Sequence, residues 1–210
     1  MADTLPDDPW HGHYAIPDWL QKLIDAGALG QKARRGVYQK AGADIQVLDV
    51  ASGNYRLSTG AADEQIAELL RNKDSAGKFA QLRASNHPQA QFLWSIFRDT
   101  FHYCAVHLGD IAASARDLDF AIRWGFGWNE GPFEIWQAAG WGQIAQGIAA
   151  DISAGKAMAA APLPAWVTAA GRSGVHGPLG SYSPATDTPV ARSTLPVYRR
   201  QLFPDRLLGE

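Results

Sequence analysis

Cysteine is nearly absent: Cys104 stands alone among 210 residues, so no intramolecular disulfide can form and no Cys-x-x-Cys pair exists for a redox or zinc site. Such thiol poverty suits a reducing cytosol, and a cytoplasmic location is the expectation. Excess charge is lacking too. Nineteen Lys and Arg against 21 Asp and Glu leave a net charge of −2, which gives no basic footprint and argues against a nucleic-acid partner. Long apolar runs are missing, and residues 1–9 are acidic and broken by proline, so neither a membrane span nor a signal peptide is readable. Missing as well is the phosphate cradle of a dinucleotide site. It requires a strand, a tight glycine turn and a helix start in that order, and no G-x-G-x-x-G follows a strand pattern here.

What is present is an ordinary globular balance, 46% apolar and 19% charged, long enough for one large or two small domains. Helical periodicity dominates. Leu20, Leu23 and Ile24 share one face of a short helix opening at Pro17. Asp63 to Arg71 reads as a helix, and the longest should run from just after Pro88 to about Ala113. There Leu93, Phe97, Phe101, Cys104, Leu108 and Ile111 recur at three- and four-residue steps. Further helices are expected from Asp117 (as N-cap) to Trp124, over Phe133 to Ala139, over Ile144 to Ala154, and briefly over Pro164 to Ala170. Between the first helix and Asp63, Val37 to Lys40 and Ile45 to Asp49 suggest a small β-hairpin or three-strand ribbon. Beyond Gly171 the Gly-, Ser-, Pro- and Thr-rich composition reads as loop, with a terminal helical turn near Tyr198.

The densest information lies in Gly125 to Gly140, which holds four glycines, a proline and four aromatics. A Gly131-Pro132 step followed by Phe133, Glu134, Ile135 and Trp136 reads as a sharp stop and a new helix. Pro132 suits the first helical position, and Glu134 complements the positive helix start. Gly125, Gly127 and Gly131 cannot form a nucleotide loop, because the last glycine falls one residue late and a helix precedes the run. The flanking aromatics Trp124, Phe126, Trp128, Phe133 and Trp136 allow two readings, a packed core or the wall of an acyl or pantetheine channel. Trp128, Phe133 and Trp136 are the candidate channel residues.

This run resembles the G-x-G-x-x-x-G-P-F-E-x-x-x-x-x-G corner in the C-terminal helical domain of 3-hydroxyacyl-CoA dehydrogenases. Arg123 to Trp128 resembles the form found in multifunctional bacterial members, where dehydrogenase and enoyl-CoA hydratase share a polypeptide. Gly30 to Tyr38 is similar to the family's G-x-K-x-G-x-G-F-Y turn, with Ala33, Arg34 and Val37 departing from the usual Thr, Gly and Phe. The resemblance implies an all-α, tandem-repeat helical domain with one small β-hairpin, of the kind shared with the C-terminal domain of 6-phosphogluconate dehydrogenase.

An internal comparison points the same way. Ile16, Pro17, Trp19 and Leu20 reappear as Leu163, Pro164, Trp166 and Val167, and each set leads through a glycine-rich turn to a tyrosine, Tyr38 or Tyr182, with a gap of three residues. The expected organisation is therefore residues 1–59 as the tail of a first repeat with its hairpin, 60–88 as a connecting helix and linker, 89–182 as a complete second repeat, and 183–210 as a loop and linker toward a following domain. On this reading the chain is a piece of a longer parent. The resemblance implies that NAD and the catalytic His-Glu pair belong to a nucleotide-binding domain upstream, so no cofactor and no catalytic residue is assigned here. It further implies an acyl-CoA substrate shared with that domain, and an enoyl-CoA hydratase domain as a following partner.

Other candidate chemistry has simpler explanations. His102 and His107, five apart on one helix, lie about 140° apart around its axis and do not pair for a metal. His11 and His13 have no third ligand nearby in sequence. Asp99 could orient His102, though no nucleophile accompanies them, and Ser181 to Ser183 gives no triad. Asp117 and Asp119 are expected to cap a helix rather than bind a cation, and Glu130 with Glu134 needs apolar burial to act as an acid–base pair. Arg199 and Arg200 could grip a coenzyme A phosphate, or belong to a linker. The rival to a dehydrogenase domain is a structural or docking module with no ligand contact.

Overall fold

The computed structural model describes residues 1–58 and 60–193. They fall into two compact units, one spanning residues 1–62 and one beginning at Asp63. Both are helical with small antiparallel sheets, and among the described residues no helix is long and apolar enough to cross a membrane.

The first unit holds helix α1 (Asp18–Asp25) and a three-stranded antiparallel sheet, β1 (Tyr38–Ala41), β2 (Asp44–Leu48) and β3 (Tyr55–Leu57), in that order. Tyr38 pairs with Val47 and Leu48 with Tyr55, which makes this the three-strand ribbon of the two alternatives the sequence offered. The glycine-rich turn before β1 contains one strained residue. Arg34 adopts φ 57°, the left-handed conformation that a glycine takes at far lower cost. This is the position at which the related turn carries Gly.

Among the described residues the second unit has six α-helices: α2 (Glu64–Arg71), α3 (Ser75–Ala84), α4 (Pro88–Ile111), α5 (Ala115–Phe126), α6 (Pro132–Ala138) and α7 (Trp141–Ser153). Asp63, Asp74 and His87 cap α2, α3 and α4 by accepting backbone N–H bonds from Gln65, Gly77 and Gln89. The expected stripe on α4 forms the centre of the core, where Phe101 and Leu108 meet Leu82, Trp136 and Ile144. Phe101 stacks on Trp136 with ring centroids 5.5 Å apart, and Trp136 stacks on Trp141 at 4.3 Å. Cys104 lies inside this core, and burial, with the charge of Asp119, pushes its thiol up to about 12.

Three features differ from the sequence reading. Helix α3 fills much of what reads as linker. Ser114, not Asp117, stands at the N-cap position of helix α5, and its hydroxyl donates to the Asp117 carboxylate at 2.7 Å. The segment read as loop folds into a second three-stranded sheet, β4 (His176–Gly177), β5 (Gly180–Ser183) and β6 (Thr188–Val190), preceded by a 3₁₀ turn over Ala165–Thr168. The terminal turn near Tyr198 and the pair Arg199 and Arg200 lie outside the described residues.

Candidate functional site

The corner between α5 and α6 is organised by a carboxylate distant from it in sequence. Gly131, the residue before α6, has no side chain with which to cap that helix. Asp119, from the middle of α5, does so instead: its Oδ1 accepts the Phe133 N–H at 2.9 Å and its Oδ2 the Glu134 N–H at 3.1 Å. The approach is so close that a Cβ on Gly131 would lie 2.2 Å from the Asp119 Cβ. Glu134 completes the cap by accepting the Gly131 N–H at 2.6 Å through Oε2. Its other oxygen accepts from Arg123 Nη1 at 3.1 Å. Pro132 occupies the first helical position, where a missing N–H costs nothing.

The second sheet attaches to the same carboxylate. His176 Nε2 donates to Asp119 Oδ2 at 2.8 Å, and its Nδ1 meets the Ser181 hydroxyl, also at 2.8 Å. Gln137 on α6 fastens the strand as well, accepting from the Val175 and His176 N–H groups and donating to the His176 carbonyl at 3.0 Å. The chain passes close to the Gln137 amide at Gly174, where a Cβ would stand 2.2 Å from it. An Asp-His-Ser chain thus exists, but with the imidazole reversed relative to a hydrolytic triad, in which Nδ1 faces the aspartate. Ser181 is 0% exposed, so no substrate carbonyl can reach its oxygen.

Electrostatically the corner is a buried cluster of opposed charges and hydrogen-bonded groups. Burial raises the Asp119 carboxyl, while His176 and the two N–H donors of α6 oppose that rise. Burial likewise raises Glu134, against the pull of the Gly131 N–H and Arg123. A second cluster ties α4 to α7. Arg98 is held between Asp99 at 2.7 Å and Asp151 at 3.1 Å, and Asp151 also accepts from the Trp94 indole at 2.7 Å. Burial works against the Arg98 charge, but the hydrogen bonds to the two carboxylates outweigh it and raise its pKa.

The candidate channel residues separate. Phe133 and Trp136 are 0% exposed and form part of the aromatic stack, with the Trp136 indole donating to the Trp141 carbonyl at 3.0 Å. Trp128 is half-buried and lines a shallow recess of about 320 Å³ with Phe97, Glu130 and Ile135. Trp124 and Phe126 face outward. The His102 imidazole Nε2 donates to the Ala161 carbonyl at 2.8 Å, and Asp99 accepts from Arg98 and from the Met158 N–H. His107 stands beside Asp110 at 3.3 Å, and His11 Nδ1 meets the Leu5 carbonyl at 2.9 Å. Among the described residues no three His, Cys, Asp or Glu side chains are placed to hold one metal ion.

Sequence reasoning assigned Asp119 to capping but not to the right helix, and it passed over Arg123, Gln137 and His176. One signal was available: Gly131 at an N-cap position, followed by proline, leaves a helix start that needs an acceptor from elsewhere.

Comparison with known proteins returns three curated relatives. A probable 3-hydroxyacyl-CoA dehydrogenase of Bacillus subtilis strain 168 is 34% identical over 133 residues, which is 63% of this chain and 17% of that protein. A putative fatty acid oxidation complex trifunctional enzyme of Rickettsia felis is 22% identical over 148 residues, and one of Rickettsia prowazekii is 23% identical over 149; each alignment takes in 69% of this chain. They take in 19% and 20% of those relatives, so the chain spans about a fifth of the length of the curated proteins it matches. No family model and no solved structure matches.

Proposed function

Since this chain carries a domain related to 3-hydroxyacyl-CoA dehydrogenases, we propose that it is the helical, substrate-side part of such an enzyme of fatty acid β-oxidation. The whole enzyme oxidises a 3-hydroxyacyl-CoA to the 3-oxoacyl-CoA and passes hydride to NAD. The nucleotide and the catalytic residues belong to another domain, and these residues alone turn over no substrate. An enoyl-CoA hydratase domain joined to the same polypeptide and a cytoplasmic location complete the proposal. The trifunctional names of two relatives support the multifunctional setting.

The observation that carries this reading is that the polar groups of the Gly131–Glu134 corner are used by one another. Asp119 holds the N–H groups of Phe133 and Glu134, and Glu134 holds that of Gly131, so the helix start that could receive a phosphate is already filled by carboxylates. The corner is a rigid support, and Trp128 is the one candidate channel residue with surface to offer an acyl group. Phe133 and Trp136 act from beneath by fixing the helix that carries the recess.

A second reading has a specific observation behind it. The complete enclosure of Phe133 and Trp136 suits a docking module that never meets substrate. Tryptophan emission separates the two. A medium-chain 3-hydroxyacyl-CoA should quench a component of the emission that a Trp128→Phe variant lacks. Emission indifferent to acyl-CoA in both proteins would favour the docking module.

A further inference from the structure

A ladder of aromatic rings runs from the surface of the second unit into its core. Phe97 on α4 is half-buried, and its ring lies 5.8 Å from that of Phe101. Phe101 is 0% exposed and stacks in turn on Trp136. Phe79 on α3, itself buried, meets the Phe97 ring edge to face at 5.0 Å. Phe97 is thus the outer end of the ladder, and the rings behind it are already packed against one another.

The recess beside Trp128 ends on this ring. Its volume of about 320 Å³ lies at the bottom of the range of about 300–1,000 Å³ for small-molecule sites. Phe97 and Ile135 wall it from the core side. Ile135 belongs to α6, the helix whose start Asp119 holds through the Phe133 and Glu134 N–H groups. Trp128 stands on the turn that leaves α5 at Gly127. The residues lining the recess include one carboxylate, Glu130, and no cation, which disfavours entry of a phosphate or a carboxylate. What fits such a space is the uncharged end of a chain.

We propose that the recess receives the methyl end of the acyl chain and that Phe97 is the stop that limits the length of chain accepted. The inference rests on the acyl contact by Trp128 proposed above, and adds to it a specificity-determining residue. Each further methylene gains affinity while it still finds apolar wall. Once the chain end meets Phe97, added carbons remain in water and gain nothing. Phe79 and Phe101 brace the ring, so the floor does not yield to a longer chain.

The test uses the full chain and reads tryptophan emission during titration with 3-hydroxybutyryl-, 3-hydroxyoctanoyl- and 3-hydroxypalmitoyl-CoA, each kept below its aggregation limit. Affinity should rise at least about tenfold from the first to the second, and less than about threefold from the second to the third. Phe97→Leu shortens the floor and should favour the palmitoyl over the octanoyl chain by about a further fivefold. Ile135→Phe narrows the recess without removing core contact, and should weaken the octanoyl chain at least about fivefold more than the butyryl chain. An octanoyl chain ending in a carboxylate should bind at least about tenfold more weakly than one ending in a methyl group. A steady rise in affinity through the palmitoyl chain overturns the stop, and so does a length profile that neither variant changes. Equal binding of the carboxylate-ended chain overturns it too. Emission quenched alike by every length sinks the stop alone, whereas emission that no length changes sinks the Trp128 contact with it.

Discussion

Asp119 occupies the space into which any side chain at position 131 would project, its Cβ lying 2.2 Å from where a Cβ on Gly131 would be. That single relationship explains why glycine stands before Pro132. The carboxylate can reach the first N–H groups of α6 only if residue 131 has no side chain. Gly131→Ala should therefore destabilise the second unit by about 2–4 kcal/mol, combining an overpacking clash with a lost cap. Urea denaturation followed by tryptophan emission measures this, and a loss within about 0.5 kcal/mol would contradict the close approach.

Arg98 pairs with both Asp99 and Asp151 in a largely buried setting. Arg98→Met keeps most of the volume but leaves two carboxylates without their cation, and should cost about 3–5 kcal/mol. A double variant that also carries Asp151→Asn should recover part of this loss. The same denaturation experiment reads both.

Arg34 at φ 57° holds a backbone conformation that favours glycine. Arg34→Gly relieves it, at the expense of greater freedom in the unfolded chain, and should stabilise the first unit by about 0.5–1 kcal/mol. Arg34→Val should destabilise it. Amide exchange in β1 and β2 localises the effect to this unit.

His102 is held neutral in the core, burial lowering its pKa against the opposing pull of the Ala161 carbonyl. For a base whose folded pKa is depressed, stability is complete above the unfolded value and is lost as pH falls through the folded one. The unfolded imidazole takes its proton near about pH 6.5. Asp119 and Glu134 run oppositely: their raised values give stability that is present below the ordinary carboxylate range and lost as pH rises. The difference between wild type and His102→Asn isolates the imidazole. It should shrink from about pH 8 to about pH 5, with a slope no steeper than about 1.4 kcal/mol per pH unit for one proton. Parallel curves would contradict a neutral His102.

The parts of the fold legible in sequence were those written locally. The α4 stripe of Phe97, Phe101, Cys104 and Leu108, with Pro88 at its start, carries its own periodicity, and so does the Pro132 helix start. Helix α3 went unread because Gly77 and the polar residues around it blur any apolar face, although Asp74 stands as a good cap. The second sheet was hidden for another reason. Its strands are two to four residues long, and β5 buries Ser181 and Ser183 along with Tyr182, so burial does not follow the polar and apolar pattern. A buried serine is tolerable there because His176 takes its hydroxyl, a partner five residues away whose own anchor is Asp119, 57 residues from it. Long-range polar pairing of this kind has no signature in a window of sequence. The candidate site was legible as a corner and as an aromatic cluster, but not as a carboxylate-centred lock.

The central claim is that the Gly131–Glu134 corner is a filled, self-capped support in a dehydrogenase-related domain, and the proposal built on it is that another domain holds the nucleotide. Calorimetric titration of the chain with NAD, and separately with a medium-chain 3-hydroxyacyl-CoA, tests it most directly. The account predicts no heat with NAD, and with the acyl-CoA a signal that Trp128→Phe reduces. Saturable NAD binding would contradict it, because these residues would then hold the nucleotide themselves.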